Sequence, residues 1–219
     1  MILQNLITLY LILTIVDGHG YLVDPPNRSS AWRYGFKTPI NTNDMELSCG
    51  GLTIQKRNRG KCGVCGDRWD ATRDHELPDG KYTKKLTITR SYRVGQTAEV
   101  LVNITSAHRG YFTFKLCPIN NLKQEVSQKC LDRHVVRVLN SPTKNGNGNT
   151  SKRRYELGSG GNGPYVVRLK LPDGRKCRHC VLQWTYRAGN NWGRCQNGTS
   201  GDGCGPQEHY RNCADIRIL

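Results

Sequence analysis

Short runs of alternating polar and apolar residues recur along the chain from Lys85 onward, and they predict β-strands. Lys85-Leu86-Thr87-Ile88-Thr89 alternates strictly. Ala98 to Ile104 adds β-branched residues to the alternation, and Tyr111 to Leu116 follows after a turn at Arg109-Gly110. Val135 to Leu139, Tyr165 to Leu171, Val181 to Tyr186 and Asp215 to Leu219 complete the series. Gly, Asn and Pro separate these runs, so the pattern predicts an all-β antiparallel sandwich. Two stretches lack the period. Residues Ser141 to Pro164 read as a long exposed loop, rich in Gly, Asn and basic residues. Residues Pro25 to Thr83 read as an irregular excursion with short helical turns at most.

The amino end follows another pattern. Ile2 to Val16 is apolar and uncharged, too short to span a bilayer comfortably and suited to the core of a secretory signal peptide. Val16 and Gly18 are small enough to precede a cleavage site, although no Lys or Arg stands before the apolar run. Cleavage after Gly18 divides the chain into a signal peptide, 1–18, and a single domain, 19–219. No second apolar run is long enough for a membrane, so a secreted, extracellular monomer is expected.

Composition agrees with export. The ten cysteines, Cys49, Cys62, Cys65, Cys117, Cys130, Cys177, Cys180, Cys195, Cys204 and Cys213, are an even set. In an oxidising compartment they read as disulfides of undetermined pairing, stapling the irregular first third. Asn27, Asn103, Asn149 and Asn197 head glycosylation sequons. The formal charge is +16, which favours polyanions such as acidic matrix, anionic glycans or nucleic acid. Export argues against nucleic acid. A merely solvated basic surface accounts for the charge as well as a dedicated site does.

Cleavage after Gly18 also creates chemistry. An N-terminal His19 offers a cation two nitrogens, its α-amine and ring Nδ1. Among the other histidines, His108 has the best position, in the turn joining two strong strands, where a rigid frame can hold a ligand. His75, His134 and His179 lie in polar or cysteine-bounded segments. In an extended Gly205–Ile216 segment, Glu208 and Tyr210 point to one side and His209 to the other. A phenol and a carboxylate there suit the flank of a metal; a core tyrosine with a surface glutamate fits the pattern equally well.

Several blocks resemble one known family. They are His19-Gly20-Tyr21-Leu22, Pro25-Pro26-Asn27-Arg28-Ser29-Ser30-Ala31-Trp32-Arg33-Tyr34-Gly35-Phe36, Cys62-Gly63-Val64-Cys65-Gly66-Asp67, Gln183-Trp184-Thr185-Tyr186 and Gln207-Glu208 with Cys213-Ala214-Asp215-Ile216. In order and from His19 onward, they resemble lytic polysaccharide monooxygenases, most closely the animal group, auxiliary activity family fifteen. The resemblance implies an immunoglobulin-like or fibronectin-III-like sandwich with one copper ion on a flat face. It implies His19 as a bidentate ligand, His108 as the third nitrogen through Nε2, Tyr210 as the axial aromatic and Glu208 as a polar neighbour. It further implies oxidative cleavage of β-1,4-linked crystalline glycan, chitin before cellulose, with dioxygen or peroxide and an external electron donor. One position departs: relatives often carry Ala where this chain has Ser106.

Tyr21, Trp32 and Tyr34 offer a stacking platform for sugar rings, with Trp32 read as packing and Tyr21 as exposed. Two other classes compete with the enzyme. A non-catalytic chitin-binding or cuticle matrix protein would use the same face without turnover. A zinc protein would use Cys62-x-x-Cys65 and Cys177-x-x-Cys180, a legitimate zinc spacing, but export and six further cysteines weigh against it.

Overall fold

The computed structural model describes residues 19–119, 121–142 and 153–219. The expected signal segment and the Asn149 sequon therefore lie outside the described residues. Two main sheets face one another. The first orders its strands β1 (His19–Asp24), β3 (Thr97–Ser106), β7 (Gly163–Lys170) and β5 (Arg137–Val138). The second orders β2 (Arg90–Tyr92), β11 (His209–Ile218), β8 (Cys177–Arg187), β4 (Tyr111–Pro118) and β6 (Tyr155–Glu156). A separate hairpin joins β9 (Trp192–Arg194) to β10 (Ser200–Asp202). All pairings are antiparallel except β11 with β2. The expected sandwich is present.

Alternation builds the core directly. In β3, Ala98, Val100, Val102 and Ile104 are buried while Thr97 and Glu99 are exposed. Phe112, Phe114, Trp184, Tyr186 and Tyr210 join them between the sheets. Phe112 and Tyr186 meet edge to face with centroids 5.4 Å apart, a favoured aromatic geometry.

Three strand expectations need correction. Residues 85–89 are not a strand; pairing begins at Arg90. The Thr87 hydroxyl donates to the Lys85 carbonyl, a local bond that competes with a ladder. Thr89 reaches β11 only through single contacts, its N–H donating to the Asp215 carbonyl. The 135–139 segment is split, because it changes sheets. Val136 N–H donates to Phe114 O in one sheet, whereas Arg137 and Val138 pair with β7 in the other. The long loop is also shorter than expected, since Tyr155–Glu156 pairs with β4 and β7 begins at Gly163.

The irregular first third covers the outer side of the second sheet. It contains a 3-10 turn (Ala31–Tyr34) and α1 (Gly51–Arg57). A second short helix, α2 (Gln128–Arg133), covers the same side, and the Gln183 amide donates to Val64 O and to Gln128 Oε1. All ten cysteines are paired: Cys49–Cys62, Cys65–Cys213, Cys117–Cys130, Cys177–Cys180 and Cys195–Cys204. No thiol remains for zinc. Cys65–Cys213 fixes the first third to β11 across 148 residues of sequence.

One sequon also needs correction. Asn27 is fully buried, its amide donating to Leu22 O and Ser30 Oγ and accepting from Ser29 N–H. The folded chain has no room for a glycan there. Asn103 is half-buried within β3, and Asn197 is exposed in the β9–β10 loop.

Candidate metal centre

The β1–β3 ladder brings the two histidines together. His19 lies opposite Ser106, the last residue of β3, and His108 follows two residues later. A register shift between His19 and Gly20 ends the regular pairing; such irregularities re-aim a terminal side chain. Gly20 is required by closeness: a Cβ there would stand 2.6 Å from Ile104 Cδ1 and 3.0 Å from Asn103 O. The His19 ring is partly exposed, with Nε2 3.2 Å from Glu46 Oε1. That contact leaves Nδ1, the nitrogen nearer the backbone, for chelation. In the uncleaved chain the His19 nitrogen is an amide, and only cleavage makes it an amine.

Three anchors fix His108. Its N–H donates to the Tyr186 hydroxyl at 2.7 Å, and its carbonyl accepts from Gly189 N–H at 2.8 Å. Its ring Nδ1 meets the Asn190 side-chain amide. Gly110 permits the turn: its φ is +82°, and a Cβ would stand 2.0 Å from Arg187 O. Amide oxygen and nitrogen exchange places by a flip. With its oxygen toward Nδ1, Asn190 accepts the ring proton and makes Nε2 the basic nitrogen, as a metal-bound imidazole requires. Nε2 lies 3.2 Å from Ser106 Oγ, across the ladder from His19.

Tyr210 packs behind the His108 turn. It is 1% exposed and stacks on Tyr186, whose hydroxyl accepts the His108 N–H, with ring centroids 5.8 Å apart. Of its two readings, the structure shows the core tyrosine. Glu208 is buried, not a surface residue, and its carbonyl accepts from Ala188 N–H. Gln55 of α1 bonds both the N–H and the carbonyl of His209. This clamp sets the start of β11, with Tyr210 turned inward and His209 outward.

The remaining histidines do not join the site. His75 bonds Asp67, His179 bonds Asp215, and His134 bonds Cys130 O. Among the described residues no three His, Cys, Asp or Glu side chains converge on a metal-sized site. With a free amine at His19, the chain would offer two imidazoles and an amine, and three neutral nitrogens suit copper in both oxidation states. The residues present fit that metal.

The sequence pattern assigned no role to Asn190 or Gln207. Gln207 exchanges two hydrogen bonds with the Asn191 backbone, tying β11 to the β9–β10 hairpin. Trp192 of that hairpin was missed; it is 71% exposed, two residues from Asn190. Its signal was an aromatic among Gly and Asn, where packing gives it no partner. Tyr21 faces the same side of β1 as His19 and is half-buried beside Tyr34, less open than expected; Trp32 is partly buried, with its Nε1 donating to Asn41 O.

Residues 19–216 match the family model described as lytic polysaccharide mono-oxygenase, cellulose-degrading. A lytic polysaccharide monooxygenase of family AA15 from Thermobia domestica, solved in the Cu(I) state, superimposes with a TM-score of 0.82. It is 43% identical, over 91% of this chain and 98% of that one. A lytic polysaccharide monooxygenase of Emericella nidulans (aasB) is 29% identical over 127 residues, 55% of this chain and 36% of that protein. An AA13 family lytic polysaccharide monooxygenase of Aspergillus terreus is 30% identical over 110 residues, 48% of this chain and 26% of that protein. The chain thus matches about a third or less of these two fungal relatives' length. With the sandwich, the paired histidines and these likenesses in agreement, the chain belongs to the lytic polysaccharide monooxygenases, a family of copper-dependent enzymes, and groups with auxiliary activity family fifteen.

Proposed function

We propose that the mature chain, beginning at His19, is a secreted monomeric enzyme that oxidatively cleaves β-1,4-linked crystalline polysaccharide, chitin first and cellulose second. The supporting observation is the His19–Ser106 register, which brings the amino-terminal histidine against the His108 turn. The His19 amine and Nδ1, with His108 Nε2, would hold one copper ion, with Tyr210 packed behind the His108 turn through Tyr186. Bound copper supplies one-electron chemistry with dioxygen or peroxide, drawing electrons from an external donor. Asn190 orients the His108 ring, and Glu208 presents a buried carboxylate beside the site. Trp192 and Tyr21 present ring faces to the sugars. Ser106 brings a hydroxyl to the Nε2 side of His108, where relatives often carry a methyl group.

The test is incubation of the copper-loaded mature protein with β-chitin or cellulose and ascorbate, followed by mass spectrometry of soluble products. Oxidised chito-oligosaccharides exceeding oxidised cello-oligosaccharides support the reading. A protein carrying one extra residue before His19 should bind copper weakly and release neither product.

A further inference from the structure

The outer face of the second sheet carries a cationic cleft separate from the copper ligands. Outward residues of β4, β8 and β11 stack in rows there. Tyr111, Arg187 and His209 form the row nearest the metal end, and Thr113, Thr185 and Arg211 the next. Lys115 closes the far side, and Arg154 overhangs the cleft with its guanidinium 4.7 Å above the Tyr111 ring. The enclosed volume is about 430 Å³.

Charge in this cleft is only partly balanced, with Asp132 and Glu76 acting on Arg211 from beyond ion-pair distance. Lys115 pairs with Asp132, and Arg154 with Glu156. Among the described residues, neither Arg187 nor Arg211 has a carboxylate at ion-pair distance. Arg187 donates to Gly205 O at 3.1 Å, and Arg211 to Gly63 O and Gln128 Oε1. Among the described residues the buried Arg211 Nε has no hydrogen-bond partner. A desolvated guanidinium with an unmet donor is costly until an anion meets it. Its planar fork matches the paired oxygens of sulfate, phosphate or carboxylate.

We propose that this cleft binds an anionic substituent, sulfate ester or carboxylate, of an acidic polysaccharide, seated between Arg187 and Arg211. Two observations favour a sugar chain as the carrier. The Tyr111 row begins three residues after His108, so one polymer can engage the cleft and the metal end. The Thr113 and Thr185 hydroxyls line the floor between the cations, where sugar hydroxyls find partners. The choice of a sugar chain rests on the family's use of polysaccharide; the anion site does not depend on copper turnover.

Calorimetric titration of the metal-free mature protein with inorganic sulfate, a sulfated hexasaccharide, a uronic acid hexasaccharide, a neutral chitohexaose and a DNA oligonucleotide tests this. Either acidic hexasaccharide should bind one to one and more tightly than sulfate. Arg187→Gln should weaken that binding roughly tenfold or more. Arg211→Lys, which keeps the charge and removes the Nε donor, should also weaken it severalfold. The double variant Lys84→Gln with Lys85→Gln removes more charge outside the cleft, and should change affinity about twofold or less. Equal losses in the Lys and Arg variants with unchanged circular dichroism would overturn the proposal. So would chitohexaose or DNA binding as tightly as the acidic sugars, or free sulfate binding as tightly as the chain. Copper-dependent oxidation of chitin by the parent protein reports on the enzyme separately.

Discussion

The Tyr186 hydroxyl accepts the His108 backbone N–H at 2.7 Å, while the Tyr186 ring stacks on Tyr210. The His108 turn and the Tyr210 ring thus share one buried support. Burial pushes the Tyr186 hydroxyl up to about 12, so it stays neutral throughout the working pH range.

Truncation of His108 should remove copper chemistry and leave the fold. The side chain is only partly buried, so His108→Ala opens little cavity while it deletes the donor opposite the His19 chelate. Copper affinity, the Cu(II) paramagnetic resonance spectrum and oxidised products should all change, with the melting temperature close to the parent's. Tyr210→Phe should leave tight copper binding and a largely parental spectrum. Parent-like copper binding by His108→Ala would remove His108 from the site.

Asn190→Ala should weaken copper binding or activity about 10–100-fold, the usual cost of losing the group that orients a metal-bound imidazole. Asn190→Asp, which still accepts from Nδ1, should recover most of the loss. A competitive copper titration of both variants decides the matter; equal affinities in parent and Asn190→Ala would show that the ring is oriented without this contact.

Of the fold, β3 was the easiest strand to read, since its two faces meet different surroundings. β8 was harder to bound, because residues 179–184 are buried throughout and their burial carries no period of two. The Val135–Leu139 reading failed where the chain changes sheets, a tertiary event with no local signal. Of the candidate site, His19 and His108 stand out by position, one behind the expected cleavage point and the other on a strand-joining turn. The role of Asn190 was not, since 82 residues separate it from His108. The buried state of Glu208 depends on the first third folding over β11, which its neighbours in sequence do not encode.

Acid should destabilise the fold through Asp215. Its carboxylate pairs with Arg28 through two 2.8 Å bonds and with His179 through a third. Burial alone would raise its pKa, but the Arg28 charge and hydrogen bonds, with His179, outweigh that and hold it down at about 2. Depressed below the unfolded value of roughly 3.9, it contributes stability above that pH and loses it as pH falls through about 2. Asp215→Asn should cost about 1–3 kcal/mol near neutrality, since the buried Arg28 keeps Glu125 as a carboxylate partner, and should flatten the loss between pH 4 and pH 2. Urea unfolding across that window checks both; parental stability in the variant would show the pair to be dispensable.

The Cys65–Cys213 bridge should be worth about 2–5 kcal/mol. The double variant Cys65→Ser with Cys213→Ser removes the covalent tie between the first third and β11 and leaves the Gln55–His209 and Arg28–Asp215 contacts. Limited proteolysis should then cut between residues 50 and 80 before the sandwich unfolds. Simultaneous loss of both regions would mean that the first third is held by packing alone.

β11 sits between β2 and β8, inside its sheet and late in the chain. This placement sets an order in time. With synthesis at roughly 5–20 residues per second, His19 emerges about 10–40 seconds before Tyr210. Until β11 emerges, β2 has nothing to join it to β8, and the clamp from Gln55 has nothing to hold. Tyr210 arrives with that strand, so the aromatic stack behind the His108 turn is assembled late, from opposite ends of the described fold.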